Sequence, residues 1–195
     1  MDASSGVLVP ESGDDVRLQP WHRFGRLVAT RRSSRPSDAD LQWASRYLSA
    51  AEETLLSTMT GDDQAHVIRV ARRVDASVAV SDPLLGPERR WMIAAALMHD
   101  VGKAEAPLGP LGRSAVTVIV WLGGGRVARR YVDRSGRLGR AARYATYPEL
   151  GASLLTQAGS DARVAAWSRE HHLPMSSWSI PPPAGEVLSR ADDLG

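Results

Sequence analysis

With 195 residues, 43% of them hydrophobic and 24% charged, the chain has the composition of an ordinary globular domain, and no apolar run approaches the roughly 18 residues that a membrane-spanning helix needs. A formal net charge of +2 does not mark a polyanion-binding protein, and the lack of cysteine excludes a disulfide framework and any thiolate metal site. A bound metal must therefore be held by His, Asp or Glu. The expected organisation is one domain located in the cytoplasm, because residues 1–10 lack the basic start and apolar stretch of a secretory signal.

Residues 1–16, rich in Asp, Ser and Gly, read as a disordered or loosely attached leader. Trp21, Phe24, Leu27 and Val28 suggest a short amphipathic helix over 21–29, ended by the polar run 30–37. Ser37 or Asp38 can cap a helix carrying Leu41, Ala44, Tyr47 and Leu48, and Leu55, Leu56 and Met59 mark another. After Gly61, Asp62 reads as the N-cap of a helix whose stripe is Ile68, Val70, Ala71 and Val74. His66 lies four residues before Val70 and eight before Val74, so an imidazole shares the inward face.

Pro87 opens the central helix, with Trp91, Ile93, Ala94, Leu97 and Met98 running straight into His99-Asp100-Val101-Gly102-Lys103. Ending an apolar helix in an imidazole beside a carboxylate costs several kcal/mol of desolvation unless a metal or hydrogen bonds compensate. Lys103 is the only lysine in the chain. A very apolar helix is expected over 115–122, stopped by Gly123-Gly124-Gly125, and the seven arginines from Arg126 to Arg143 read as a solvated helix or crossover. Without interleaved aromatic platforms that run does not make a nucleic-acid surface.

Tyr147-Pro148-Glu149 starts a helix that Gly159 stops, and Ser160 or Asp161 caps the next, which ends in a second ionisable cluster, Glu170-His171-His172. Pro181-Pro182-Pro183 reads as a rigid surface connection before a last helix from Glu186 to Asp193. Trp91, Trp121 and Trp167 are most simply core. No strand is expected, so the fold class is all-α, a helical bundle.

Four of the five histidines, His66, His99, His171 and His172, fall in apolar helical segments, and with Asp100 and Asp192 they make an inventory suited to a divalent first-row metal. The order His66, then Leu97-Met98-His99-Asp100-Val101-Gly102-Lys103, then His171-His172, then Ala191-Asp192 resembles the HD superfamily of metal-dependent phosphohydrolases, and in detail its small actinobacterial members. The resemblance runs from about Asp62 to Asp193. It implies an HD-domain-like bundle over 61–195, with 17–60 an N-terminal helical segment packed on it.

The same resemblance implies that His66, His99, Asp100 and Asp192 bind a divalent metal (Mn, Fe, Co, Ni, Mg or Zn) and that Lys103 faces a substrate phosphate. Lys103 can equally cap the carbonyls of the helix before it. In relatives with two metals a His-Pro-Glu segment and a His-His pair complete the site; here His171 and His172 match the pair, but the segment reads Tyr147-Pro148-Glu149. Asp62, on the same helix face as His66, is the alternative carboxylate. The implied activity is metal-dependent hydrolysis of a nucleotide or other small phosphate ester, with Asp100 and Lys103 as the catalytic groups and His171 or His172 binding a second metal or phosphate, or donating a proton. Tyr147 keeps open a second reading, a degenerate HD protein that binds nucleotide, metal or a protein partner without turnover.

Overall fold

The computed structural model describes residues 35–81, 87–105, 116, 131–133 and 135–194, and among them every regular element is helical. The helices are α1 (Asp38–Ser45), α2 (Ala50–Thr58), α3 (Gly61–Ser81), α4 (Arg89–Met98), α5 (Gly136–Ala145), α6 (Tyr147–Gln157), α7 (Ala162–Glu170) and α8 (Pro182–Asp193). Short 3-10 turns occupy Val101–Glu105 and Met175–Ser177. None of the described helices is long and apolar enough to cross a membrane. The expected leader over 1–16, the helix over 21–29 and the glycine stop at 123–125 lie outside the described residues, as does the 115–122 helix apart from Val116, which is helical and buried.

Capping accounts for most of the helix boundaries. Ser37 and Ser49 each form a capping box, with Asp40 and Glu52, and so start α1 and α2, the two helices expected here; α1 ends at Ser45, which leaves Tyr47 and Leu48 in the turn before Ser49. At α3 the cap is Thr60, not Asp62: the Thr60 hydroxyl accepts from the Asp63 amide at 3.2 Å and donates to the Asp63 carboxylate at 2.6 Å. Asp62 instead sits in the first turn, where a negative charge favours the helix dipole. Gly159, at φ +71°, ends α6 with the Gly159 amide on Thr156 O and the Ser160 amide on Leu155 O, a Schellman closure. Asp161 caps α7 through the Arg163 amide at 2.9 Å. The proline run is not a connection: Pro182 and Pro183 form the first turn of α8, where the missing N–H groups have no intrahelical acceptor to lose.

The core forms around α4, which is buried on every side from Trp91 to Met98 and packs against α3, α7 and α8. A helix apolar all round has to be central, and Ala94-Ala95-Ala96 let its neighbours come close. α3 contributes Val67, Val70, Ala71 and Val74, and α7 contributes Val164 and Trp167, all buried; each large side chain among them is worth about 1.5–3 kcal/mol of burial. Trp91 and Trp167 are core as expected, whereas Trp121 lies outside the described residues. Of the arginine run, Arg143 is a structural tie: its guanidinium donates to Val132 O at 2.9 Å and to Glu105 O at 3.3 Å, joining α5 to the turn after α4.

Candidate metal centre

His99 is the C-cap of α4. Its Nδ1 lies 2.9 Å from Ala96 O, and since a carbonyl can only accept, Nδ1 carries the proton and Nε2 is left to face the site. Asp100 follows in the same turn, 2% exposed. His66 comes from α3 and Asp192 from the last turn of α8, so packing of three helices brings the set together.

His66 Nε2 is 3.3 Å from Asp192 Oδ1 and 3.8 Å from Asp100 Oδ2, and His99 Nε2 is 3.6 Å from each of those two oxygens. Two imidazoles and two carboxylates thus alternate around a four-sided ring. Adjacent ligands about 2.1 Å from one first-row ion lie about 3.0–3.5 Å apart, and the edges of the ring run from 3.3 to 3.8 Å, with Asp192 outside the tighter group formed by the other three. His66, His99 and Asp100 can each present one ligand atom with all three within 4.8 Å of one another, a group able to hold a metal ion. The alternative carboxylate, Asp62, makes none of these contacts.

The electrostatics of the cluster are those of charges that need each other. Burial alone pushes His99 toward neutral imidazole, but Asp100 and Asp192 outweigh it and raise its pKa to about 9. Burial likewise opposes ionisation of Asp100, yet Lys103 and His99 hold its carboxyl well below the usual carboxylate range. Asp192 is depressed in the same way, its burial overcome by His99 and His66. The Lys103 ammonium pairs with Asp100 Oδ2 and lies 5.0 Å over the Tyr147 ring; against the cost of burial, the Asp100 charge raises its pKa.

Beside this ring lies the second cluster. His171 Nδ1 is 2.9 Å from Ser168 O, which again fixes the proton on Nδ1, and its Nε2 is 3.9 Å from Asp100 Oδ1. Burial, with His172 and His99 nearby, drives the His171 pKa well below its ordinary value, so the ring is neutral. The Tyr147 hydroxyl is within hydrogen-bond distance of Nε2 of both His171, at 3.2 Å, and His172. With His171 Nδ1 already a donor, the phenol donates to His171 Nε2 and accepts from His172 Nε2. Burial and the Asp100 charge raise the Tyr147 pKa well above its ordinary value, which keeps it protonated. His171 is buried and His172 exposed. Glu170, read with them as one cluster, turns away: its carboxylate accepts from the Ser179 amide at 2.7 Å and hydroxyl at 2.8 Å, clasping the chain before α8.

Two glycines allow this assembly. A Cβ on Gly102 would sit 1.9 Å from Tyr147 O and 2.7 Å from the Gly151 amide nitrogen, and one on Gly151 would sit 2.6 Å from Ser168 Oγ. The turn after His99-Asp100 is therefore pressed directly onto α6, while Ser168 donates to His99 O at 3.2 Å from the α7 side. The one signal for this contact in the sequence is the pair of glycines itself. Comparison with models of known protein families, with curated proteins and with solved structures finds no match to this chain.

Proposed function

We propose that the chain is a divalent-metal-dependent phosphohydrolase of the HD superfamily type, acting on a nucleotide or another small phosphate ester. The observation that supports it most is the ring of His66, Asp100, His99 and Asp192, with a lysine ammonium on one of its carboxylates. These four residues would hold the ion, which when bound supplies Lewis acidity toward phosphate oxygen and toward water. The protein's own groups do the rest. Lys103 turns from Asp100 to the substrate phosphate and offsets its growing negative charge. Asp100, released from that pair, accepts the proton of the water whose oxygen forms the new P–O bond. As the ester P–O bond breaks, the leaving oxygen takes up the proton that Asp100 accepted, which returns Asp100 to its carboxylate; burial lowers the His172 pKa, so that imidazole stays neutral beside Tyr147.

A single ion fits this reading better than two, because the Nε2 atoms that would bind a second one are both engaged by the Tyr147 hydroxyl. That same engagement favours a second reading, in which the centre binds metal and nucleotide without turnover. Purified protein loaded in turn with Mn²⁺, Fe²⁺, Co²⁺, Ni²⁺, Zn²⁺ and Mg²⁺ and offered nucleotides, cyclic dinucleotides and aryl phosphates separates them. Hydrolysis that needs the metal and vanishes in Asp192→Asn supports the enzyme. Nucleotide binding with no phosphate or ester cleavage under any metal leaves the binding protein.

A further inference from the structure

We propose, resting on the reading of the His–Asp ring as a metal site, that Ser168 is a positioning residue of that centre: its hydroxyl holds the peptide that joins the two ligands His99 and Asp100. Ser168 is wholly buried on α7, and its Oγ donates to His99 O at 3.2 Å, across 69 residues of chain.

A hydroxyl inside a helix ordinarily turns back to a carbonyl of the preceding turn. Thr54, Thr146 and Thr156 do so in this chain, bonding Ala50 O at 2.9 Å, Ala142 O at 3.1 Å and Ala152 O at 2.8 Å. Ser168 instead crosses to the end of α4, and α6 makes room for it: a Cβ on Gly151 would come within 2.6 Å of Ser168 Oγ. The acceptor needs a donor from outside its own helix. In a continuing α-helix His99 O would be met by the Lys103 amide, which here bonds Asp100 O at 2.9 Å as the chain tightens into the 3-10 turn.

This carbonyl matters because of what flanks it. A trans peptide is planar, so holding its oxygen against α7 fixes ψ of His99, at −32°, together with φ of Asp100, and these are the torsions that separate the two ligands' Cα–Cβ bonds. His99 Nε2 and Asp100 Oδ2 then stand 3.6 Å apart as one edge of the ring. The carbonyl of Ser168 accepts from His171 Nδ1 at 2.9 Å, so the same residue reaches the ring through its side chain and the imidazole pair through its backbone. Removing the hydroxyl alone therefore disturbs the ring and leaves the His171 tautomer in place.

The test is Co²⁺ binding to the full chain, read by chelator competition and by the visible absorption of the bound ion, in wild type, Ser168→Ala and Thr156→Ala. Ser168→Ala is expected to bind Co²⁺ about tenfold more weakly, the scale on which hydrogen bonds behind a metal ligand act, and to shift the visible bands, which report ligand geometry. Thr156→Ala, which loses a hydroxyl bonded to its own helix, is expected to match wild type. In excess EDTA, imidazole ¹⁵N spectra of Ser168→Ala are expected to show shifted His99 signals with His171 still protonated on Nδ1. Co²⁺ affinity and bands equal to wild type in Ser168→Ala, or a weakening reproduced by Thr156→Ala, overturn the proposal. A wild type that binds no Co²⁺ removes the metal reading alone; His99 signals that do not move in EDTA overturn the positioning role whether or not the metal binds.

Discussion

The raised pKa of His99 makes the stability of the metal-free protein depend on pH in a definite direction. Unfolded, the imidazole titrates near its ordinary value of 6.5; folded between Asp100 and Asp192 it holds its proton up to about 9. The folded state binds that proton more tightly, so the contribution is fully present below about 6.5 and is lost as pH rises through about 9. A difference of about 2.5 pKa units corresponds to about 3 kcal/mol at most. The depressed carboxyls of Asp100 and Asp192 express the same attractions from the acid side and are not added to it. For a chain of this length the loss is worth about 6–12 °C in melting temperature. Denaturation in EDTA at pH 6, 7, 8 and 9 reads it directly, with His99→Gln as the control that removes the proton without changing the neighbours. A metal ion requires neutral imidazole and displaces that proton, so metal affinity is expected to climb over the same window. A wild-type profile that is flat from pH 6 to 9, or an equal fall in His99→Gln, would refute the assignment.

Gly102→Ala forces a methyl group to within 1.9 Å of Tyr147 O, a backbone atom that cannot rotate away; we expect a loss of at least about 3 kcal/mol by urea denaturation, and a loss under 1 kcal/mol would mean that the turn does not press on α6. Tyr147→His replaces the phenol that engages both imidazoles with a third imidazole, and the metal content by elemental analysis is expected to rise from one ion per chain toward two; an unchanged content counts against the single-ion reading. Lys103→Met removes the ammonium beside Asp100, and hydrolysis of the best substrate is expected to fall about a hundredfold with metal content retained. A rate within twofold of wild type would reduce Lys103 to a partner of Asp100 in the fold.

What the sequence reveals of this centre depends on whether the signal is local. The ring's two anchors are legible because each breaks a local pattern: His99-Asp100 ends a helix that is apolar on all faces, and His66 interrupts an inward stripe at helical spacing. The all-helical class follows from the same periodicity and holds for every described element. Caps and termini are less legible. Thr60 rather than Asp62 caps α3 because its hydroxyl both accepts from the Asp63 amide and donates to the Asp63 carboxylate, a choice that depends on a rotamer. Pro182 and Pro183 start α8 because an N-terminal turn tolerates them, which a run of three prolines conceals.

The features that decide between one ion and two are the least legible, since they join residues far apart in the chain. Tyr147 meets His171 and His172 across 24 and 25 residues, and nothing in Tyr147-Pro148-Glu149 indicates that the phenol ends on both rings. Packing explains why it does. The position a Cβ would take on Gly102 is filled by the carbonyl of Tyr147 itself, so the contact that clamps the His99-Asp100 turn against α6 also sets where the first residue of α6 lies. From there the side chain of Tyr147 runs under the Lys103 ammonium to the two imidazoles. A residue that changes the second half of the site is thus positioned by the glycine that shapes the first half. Enlarging Gly102 is therefore expected to disturb the imidazole pair as well as the metal ring.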